Sequence, residues 1–273
     1  MPATPPDVPR SRIHWQERWG LARPLEYAAI LTFGAGALAM QSVPVVNRHW
    51  GGNGFDNAFR DALRIENPSG RHAARSVSDG LFFGMMGFPL VVDTLLVAGP
   101  RDSTTAWQLL VVNGEAMTMA GFLSQVIERT GGRTRPFVQE CGKDAGYKTD
   151  CEGEPDERYE SFLSGHTLMA FNGAGLTCAN HLHIPLYGGG APDVLACVAG
   201  IAIASTEGVL RISSDRHYMT DVLTGALIGF ATGYSVPIFL HYGRRGGGDA
   251  AVSTAVLPYA TASTAGLQIL GAF

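Results

Sequence analysis

Six apolar windows dominate this 273-residue chain: Tyr27 to Val46, Leu81 to Gly99, Trp107 to Ile127, Ser164 to Leu182, Ala191 to Leu210 and Val222 to His241. Each is near the ~20 residues that carry a helix across a bilayer, where every backbone N–H and C=O must find its partner within the segment. Charged residues make up only 16% of the chain, and 35 glycines supply the small surfaces on which lipid-embedded helices approach closely. The pattern predicts an all-α polytopic membrane helix bundle with about six transmembrane helices. Three regions follow: a polar N-terminal segment 1–25, a membrane domain 26–242, and a Gly/Ala/Thr-rich tail 243–273. A net charge of −4 without a concentrated basic face excludes a nucleic-acid partner.

Six spans place the loops 47–80, 128–163 and 211–219 on one side of the membrane and both termini on the other. In the first 25 residues Ile13, Trp15, Trp19 and Leu21 alternate with Arg12, Arg18 and Arg23, which suits either a short interfacial helix or a disordered lead. Arg18, Arg23, Arg101, Arg244 and Arg245 flank span ends on the terminal side, which makes that side cytoplasmic. The three-loop side is then the outer, periplasmic face of a bacterial inner membrane. Cys141 and Cys151 share one polar loop there and are a possible disulfide, whereas Cys178 and Cys197 lie in apolar runs and do not resemble a bridged pair. Asp93 and Glu115 interrupt the second and third spans, and hydrogen-bonded packing contacts are the expected reading for both.

Three segments on the three-loop side carry the residue types of phosphoryl transfer. Gly132-Arg133-Thr134-Arg135-Pro136 offers two guanidiniums, which meet phosphate oxygens bidentately. Ser164-Gly165-His166-Thr167 opens a span with a capping hydroxyl and free amide N–H groups at the positive end of a helix. Arg211 leads to His217 and Asp221, which are four apart and share a helix face, so the carboxylate is placed to hold the imidazole. Glu207, four residues before Arg211, is placed to position that arginine through a salt bridge.

Together and in this order, these segments resemble the superfamily of type 2 phosphatidic acid phosphatases, bacterial acid phosphatases and vanadium haloperoxidases. Its pattern is a lysine, six residues and Arg-Pro; then Pro-Ser-Gly-His; then Ser-Arg, five residues, His, three residues and Asp. Arg135-Pro136, Ser164-Gly165-His166, and Arg211 with His217 and Asp221 keep that spacing. The resemblance implies His217 as nucleophile, Asp221 as its orienting partner, and His166 as general acid and then base. Arg135, Arg211, Ser164 and the Gly165 amide would neutralise the phosphate oxygens, with a lipid phosphate as substrate and no metal or other cofactor implied.

The chain departs from the pattern at three places. Glu128 stands where the lysine is expected, and Arg129 or Arg133 is expected to supply the missing charge; Leu163 and Leu210 replace the proline and the serine. The implied function is a membrane lipid phosphatase working through a phosphohistidine, on a phosphatidic acid-like lipid or an isoprenyl diphosphate. Two rivals stay open: a soluble or secreted acid phosphatase for small phosphomonoesters, and a non-catalytic phospholipid-binding or transport protein.

Overall fold

The computed structural model describes residues 13–46 and 50–243, together with the backbone of 253–260 and 265–272. Helix α1 spans Pro24–Met40, α2 Gly54–Leu63, α3 Pro68–Gly87, α4 Ser103–Gly131, α5 Lys148–Cys151, α6 Gly165–His183, α7 Ala191–Ser213 and α8 Met219–Pro237. Polar caps set the starts. Asp102 accepts from Thr105 N at 2.6 Å ahead of α4, and Asn53 accepts from Asp56 N at 3.0 Å ahead of α2. Gly132 ends α4 in the left-handed region, φ 59°, which only glycine adopts without a side-chain penalty.

Helix α3 runs directly into a π-helical stretch, Phe88–Ala98. Pro89 has no N–H, and its ring crowds the preceding turn, so the ladder widens there. The Pro89 carbonyl is taken instead by Thr94 Oγ1 at 2.7 Å and Asn113 Nδ2 at 3.0 Å. A second π-helical stretch, Ile238–Tyr242, ends α8.

Among the described residues four helical segments are long and apolar enough to cross a membrane: Pro68–Ala98, Ser103–Gly131, Ala191–Ser213 and Met219–Tyr242. Helix α1 is a shorter apolar helix. Their outward faces carry exposed Leu31, Leu38, Phe83, Leu96, Leu195, Leu227 and Phe239, the surface a lipid solvent requires. Helix α6 occupies the fourth window but stands apart in composition. It is the axis of the bundle, packed on α8, α7, α3 and α4, and its Asn172, Thr177, Asn180 and His181 are buried by protein. A central helix needs no lipid-facing surface, so its hydropathy falls below that of its neighbours.

The α6–α8 contact is set by glycine spacing. Gly225, Gly229 and Gly233 recur every fourth residue along one face of α8. A β-carbon on Gly225 would stand 2.7 Å from the Ser164 carbonyl oxygen, and those on Gly229 and Gly233 would overlap the carbonyls of Leu168 and Asn172. The backbones therefore meet directly, as in small-residue packing of membrane helices.

Three sequence expectations change. The stretch 47–80 is not a loop, since α2 and the polar first half of α3 lie in it. Cys178 and Cys197, expected to be unpaired, are bridged and tie α6 to α7, while Cys141 and Cys151 are bridged in the loop before α6. Residues 13–23 form no helix; Ile13, Trp15 and Trp19 are buried against Ile184, Leu186 and Tyr242, and Gly20 N donates to His241 O at 3.2 Å. The two ends of the membrane domain thus meet on one side. Arg12, Arg244 and Arg245 lie outside the described residues, and the tail backbone forms an antiparallel pair, β1 Ser253–Ala260 with β2 Ala265–Ala272. Asp93 and Glu115 are packing contacts: the Tyr187 hydroxyl donates to Asp93 at 3.1 Å, and Glu115 lies 3.2 Å from His241 Nε2.

A branched side chain at the centre of the glycine row separates α8 from α6. Gly229→Val is expected to cost about 1–3 kcal/mol or more and to lower the thermal unfolding midpoint in detergent. Gly84→Ala, where a β-carbon meets nothing within 4 Å, is the control and leaves it unchanged. An unshifted midpoint in Gly229→Val would show that the close approach is dispensable.

Candidate active site

At the end of the bundle formed by the starts of α3, α6 and α8, a cavity of about 580 Å³ opens between α1, α3, α4 and α6. Its polar end holds Arg75 and Asp79 from α3, Glu128 from α4, Arg135 from the following loop, His166 from α6, Arg211 from α7, and Arg216 with His217 from the turn before α8. Its other end is apolar, lined by Ala37, Phe82, Phe83, Met86, Gly121 and Met169. Both histidines of the sequence pattern, distant along the chain, thus line one hollow.

His217 is 3% exposed and its Nδ1 lies 2.8 Å from the Ser161 carbonyl oxygen. A carbonyl only accepts, so Nδ1 carries the proton and Nε2 keeps its lone pair. Burial, with Arg135 and Arg211 nearby, holds the imidazole pKa well below its usual range, so the ring is neutral. Asp221 does not take the Nδ1 proton directly as expected, since its Oδ2 is 4.0 Å away. That oxygen accepts from Ser161 Oγ at 2.7 Å and Tyr218 N at 2.8 Å, so Asp221 holds the residue that holds His217.

The arginines divide into two sets. Arg129 and Arg133, expected to supply the charge missing at Glu128, do not line the cavity. Arg129 pairs with Glu160 at 2.9 Å; Arg133, 1% exposed, pairs with Asp56 at 2.5 Å and with Asp221, and lies between the rings of Trp50 and Tyr218, 4.5 Å from each. Arg135 does line it, with Nε and Nη1 buried and lacking a partner among the described residues. Burial and the charge of Arg211 lower its pKa, the mark of a guanidinium without its anion. Arg216 is pushed down to about 10 by burial and by Arg135.

Ser164 caps α6 as expected, its Oγ 3.5 Å from Thr167 N. Gly165 has no room for a side chain: a β-carbon there would collide with the Glu128 carboxyl and lie 2.7 Å from Ser124 Oγ. Glu128 therefore sits beneath the helix terminus, accepting from Ser124 Oγ at 2.8 Å. Asp79 Oδ1 is 3.1 Å from His166 Nε2 and 3.2 Å from Arg211 Nη1, and the Phe82 ring packs on His166 with centroids 4.5 Å apart. Glu207, expected to pair with Arg211, accepts instead from Ser78 Oγ at 3.0 Å; the closer anion to Arg211 is Asp79.

The sequence reading missed α2 altogether. Arg60 grips Asp215 with Nε to Oδ1 at 2.6 Å and Nη2 to Oδ2 at 2.8 Å, holding a residue at φ 61° in the turn that delivers His217. Asp56 accepts from Thr220 N at 2.9 Å as well as from Arg133. The Asn53-to-Asp56 capping box and the four-residue spacing of Asp56 and Arg60 were the available signals.

Two outcomes follow from these charges. Arg133→Ala leaves Asp56 and Asp221 buried without their cation and is expected to cost about 3–5 kcal/mol, read as a fall in unfolding midpoint. Histidine NMR on the ligand-free protein is expected to show His217 neutral with the proton on Nδ1 at pH 6, because a depressed pKa delays protonation to lower pH; a charged ring at pH 6 would contradict the burial argument.

The PAP2 superfamily model matches residues 109–245, half of the chain. A lipid A 1-phosphatase of Porphyromonas gingivalis is 41% identical over 136 residues, covering 50% of this chain and 25% of that protein. A probable diacylglycerol pyrophosphate phosphatase 1 of Schizosaccharomyces pombe is 27% identical over 152 residues, covering 50% of this chain and 54% of its own length. The chain thus spans between a quarter and about half of these relatives. The crystal structure of a transmembrane PAP2-type phosphatidylglycerolphosphate phosphatase from Bacillus subtilis superposes with a TM-score of 0.51 at 19% identity, covering 78% of this chain and 94% of that one, and shows a shared fold. The matched region includes Arg135, Ser164, His166, Arg211, His217 and Asp221, and the chain belongs to the PAP2 superfamily as an integral membrane protein.

Proposed function

We propose that this protein is a membrane phosphatase that removes phosphate from a lipid through a phosphohistidine on His217. The observation that carries the reading is the two-ended cavity: two imidazoles and several guanidiniums at one end, aromatic and aliphatic side chains at the other. A phosphate on a long apolar tail fits both ends at once.

His217 Nε2, unprotonated because Nδ1 faces the Ser161 carbonyl, attacks phosphorus as the bond to the lipid oxygen breaks. His166, neutral in the empty site because burial and the charges of Arg211 and Arg135 push its pKa down to about 3, takes a proton as the phosphate anion binds, donates it to that departing oxygen, and then takes one from the water that attacks the phosphohistidine. Arg135 and Arg211, with the Gly165 amide at the start of α6, neutralise the oxygens as charge redistributes. Asp79 Oδ1 now bridges His166 and Arg211, the two groups a substrate oxygen would engage, so the incoming phosphate takes these contacts over.

We place the site at the outer, periplasmic face of a bacterial inner membrane. Support comes from the Cys141–Cys151 bridge, which lies in the loop at the site end and suits an oxidising compartment. The two relatives are named for lipid A 1-phosphate and diacylglycerol pyrophosphate, so the substrate class is a lipid phosphate or diphosphate.

The test is phosphate release by purified protein in detergent with chelator present, across phosphatidic acid, a diacylglycerol diphosphate, an isoprenyl diphosphate and a glycolipid phosphate. His217→Ala is expected to lower kcat by about 10³-fold or more, with orthovanadate inhibiting the wild type. Equal release by mutant and wild type, or dependence on added metal, would refute the mechanism.

A further inference from the structure

Glu128 leaves the site with a carboxylate where the family pattern has an ammonium. It lies in the cavity, not turned away from it, so the cation that the pattern places beside the proposed phosphate position is missing. An anion bound there needs compensating charge, and the two arginines nearest in sequence cannot give it. Arg129 is engaged by Glu160 and Asp156, and Arg133 by Asp56 and Asp221.

Four arginines line the cavity among the described residues: Arg75, Arg135, Arg211 and Arg216. Arg135 and Arg211 already fill pattern positions. Arg216 is 3% exposed, lies over the Phe137 ring, and is held by Glu157 and by Asp150 at 3.2 Å. Arg75 differs. Its contacts, to Asp150 Oδ1 and Glu157 Oε1, are both 3.4 Å long, and Arg216 reaches the same two oxygens at shorter distance. Arg75 is thus the second partner of both carboxylates, its side chain is 36% exposed at the cavity, and an anion can draw it away at little cost.

Its position on α3 adds to this. Arg75 stands four residues before Asp79, and Phe82, Phe83 and Met86 continue along the same cavity wall. One helix, outside the segment that matches the family model, presents a cation, then a carboxylate, then an apolar strip.

We propose that Arg75 is a phosphate-binding residue that replaces the cation lost at position 128, an assignment that rests on the phosphatase reading. Its guanidinium meets an oxygen of the substrate phosphate from the α3 side.

The experiment measures orthovanadate affinity by calorimetry, and KM and kcat for a lipid phosphate, in Arg75→Gln and Arg75→Lys. Arg75→Gln is expected to weaken vanadate and raise KM by about tenfold, with kcat changing less, and Arg75→Lys to recover most of the loss. Combining Arg75→Gln with Glu128→Lys is expected to restore vanadate affinity, which a merely structural role in holding Asp150 and Glu157 would not do. Wild-type vanadate affinity in Arg75→Gln, or the same loss falling on Arg216→Gln alone, overturns the proposal. If Glu128→Lys fails to fold, the contrast between Arg75→Gln and Arg75→Lys decides. A wild type that releases no phosphate from any lipid refutes the phosphatase reading instead, and calorimetry still reports on Arg75.

Discussion

Arg133 is the interaction on which the rest of the site depends. Its guanidinium, buried from solvent, joins Asp56 of α2 to Asp221 of α8 and sits between two aromatic faces. A charge so deeply buried is tolerable only when fully paired, so the pairing forces α2, the loop after α4 and the start of α8 into one arrangement. Asp221 then fixes Ser161, and the Ser161 carbonyl fixes the tautomer of His217. The His217 ring is oriented through three layers, and only the last of them touches it.

Around that core the site is crowded with like charge. Burial lowers the pKa of Arg135 and of Arg216, and a neighbouring guanidinium lowers each further, Arg211 beside Arg135 and Arg135 beside Arg216. A preorganised cluster of cations lacking its anion is the electrostatic form a phosphate site takes, since the protein has already met the cost of assembling it. Asp79, Glu157 and Glu128 temper the field while the site is empty. Burial and the same crowding hold the His217 pKa well below its usual range, which leaves Nε2 unprotonated.

Much of the site was legible in the sequence. Fixed spacings within single segments, Arg135 to Pro136, Ser164 to His166 and Arg211 to Asp221, name residues that helix geometry then delivers to one end of the bundle. What misled was proximity in sequence. Arg129 and Arg133 neighbour Glu128, yet Arg129 is turned 100° from it on the helix and Arg133 lies beyond the Gly132 turn, so each meets a different partner. Asp56, Arg60, Arg75 and Asp79 were overlooked because their stretch is too polar to read as a span; it is polar because it faces the site and not the lipid.

By itself the sequence determined the solvent and the class of fold: apolar stretches of bilayer length must be helices, and helices in that number must form a bundle. Its 35 glycines also set the expectation of close helix contacts, without saying which helices meet. Only the tertiary structure decided which charges neutralise one another. Ion pairing depends on where side chains from distant segments meet, and the Arg133 triad, the Arg60 grip on Asp215 and the second bridge, Cys178 to Cys197, join residues whose separation along the chain carries no mark of their contact.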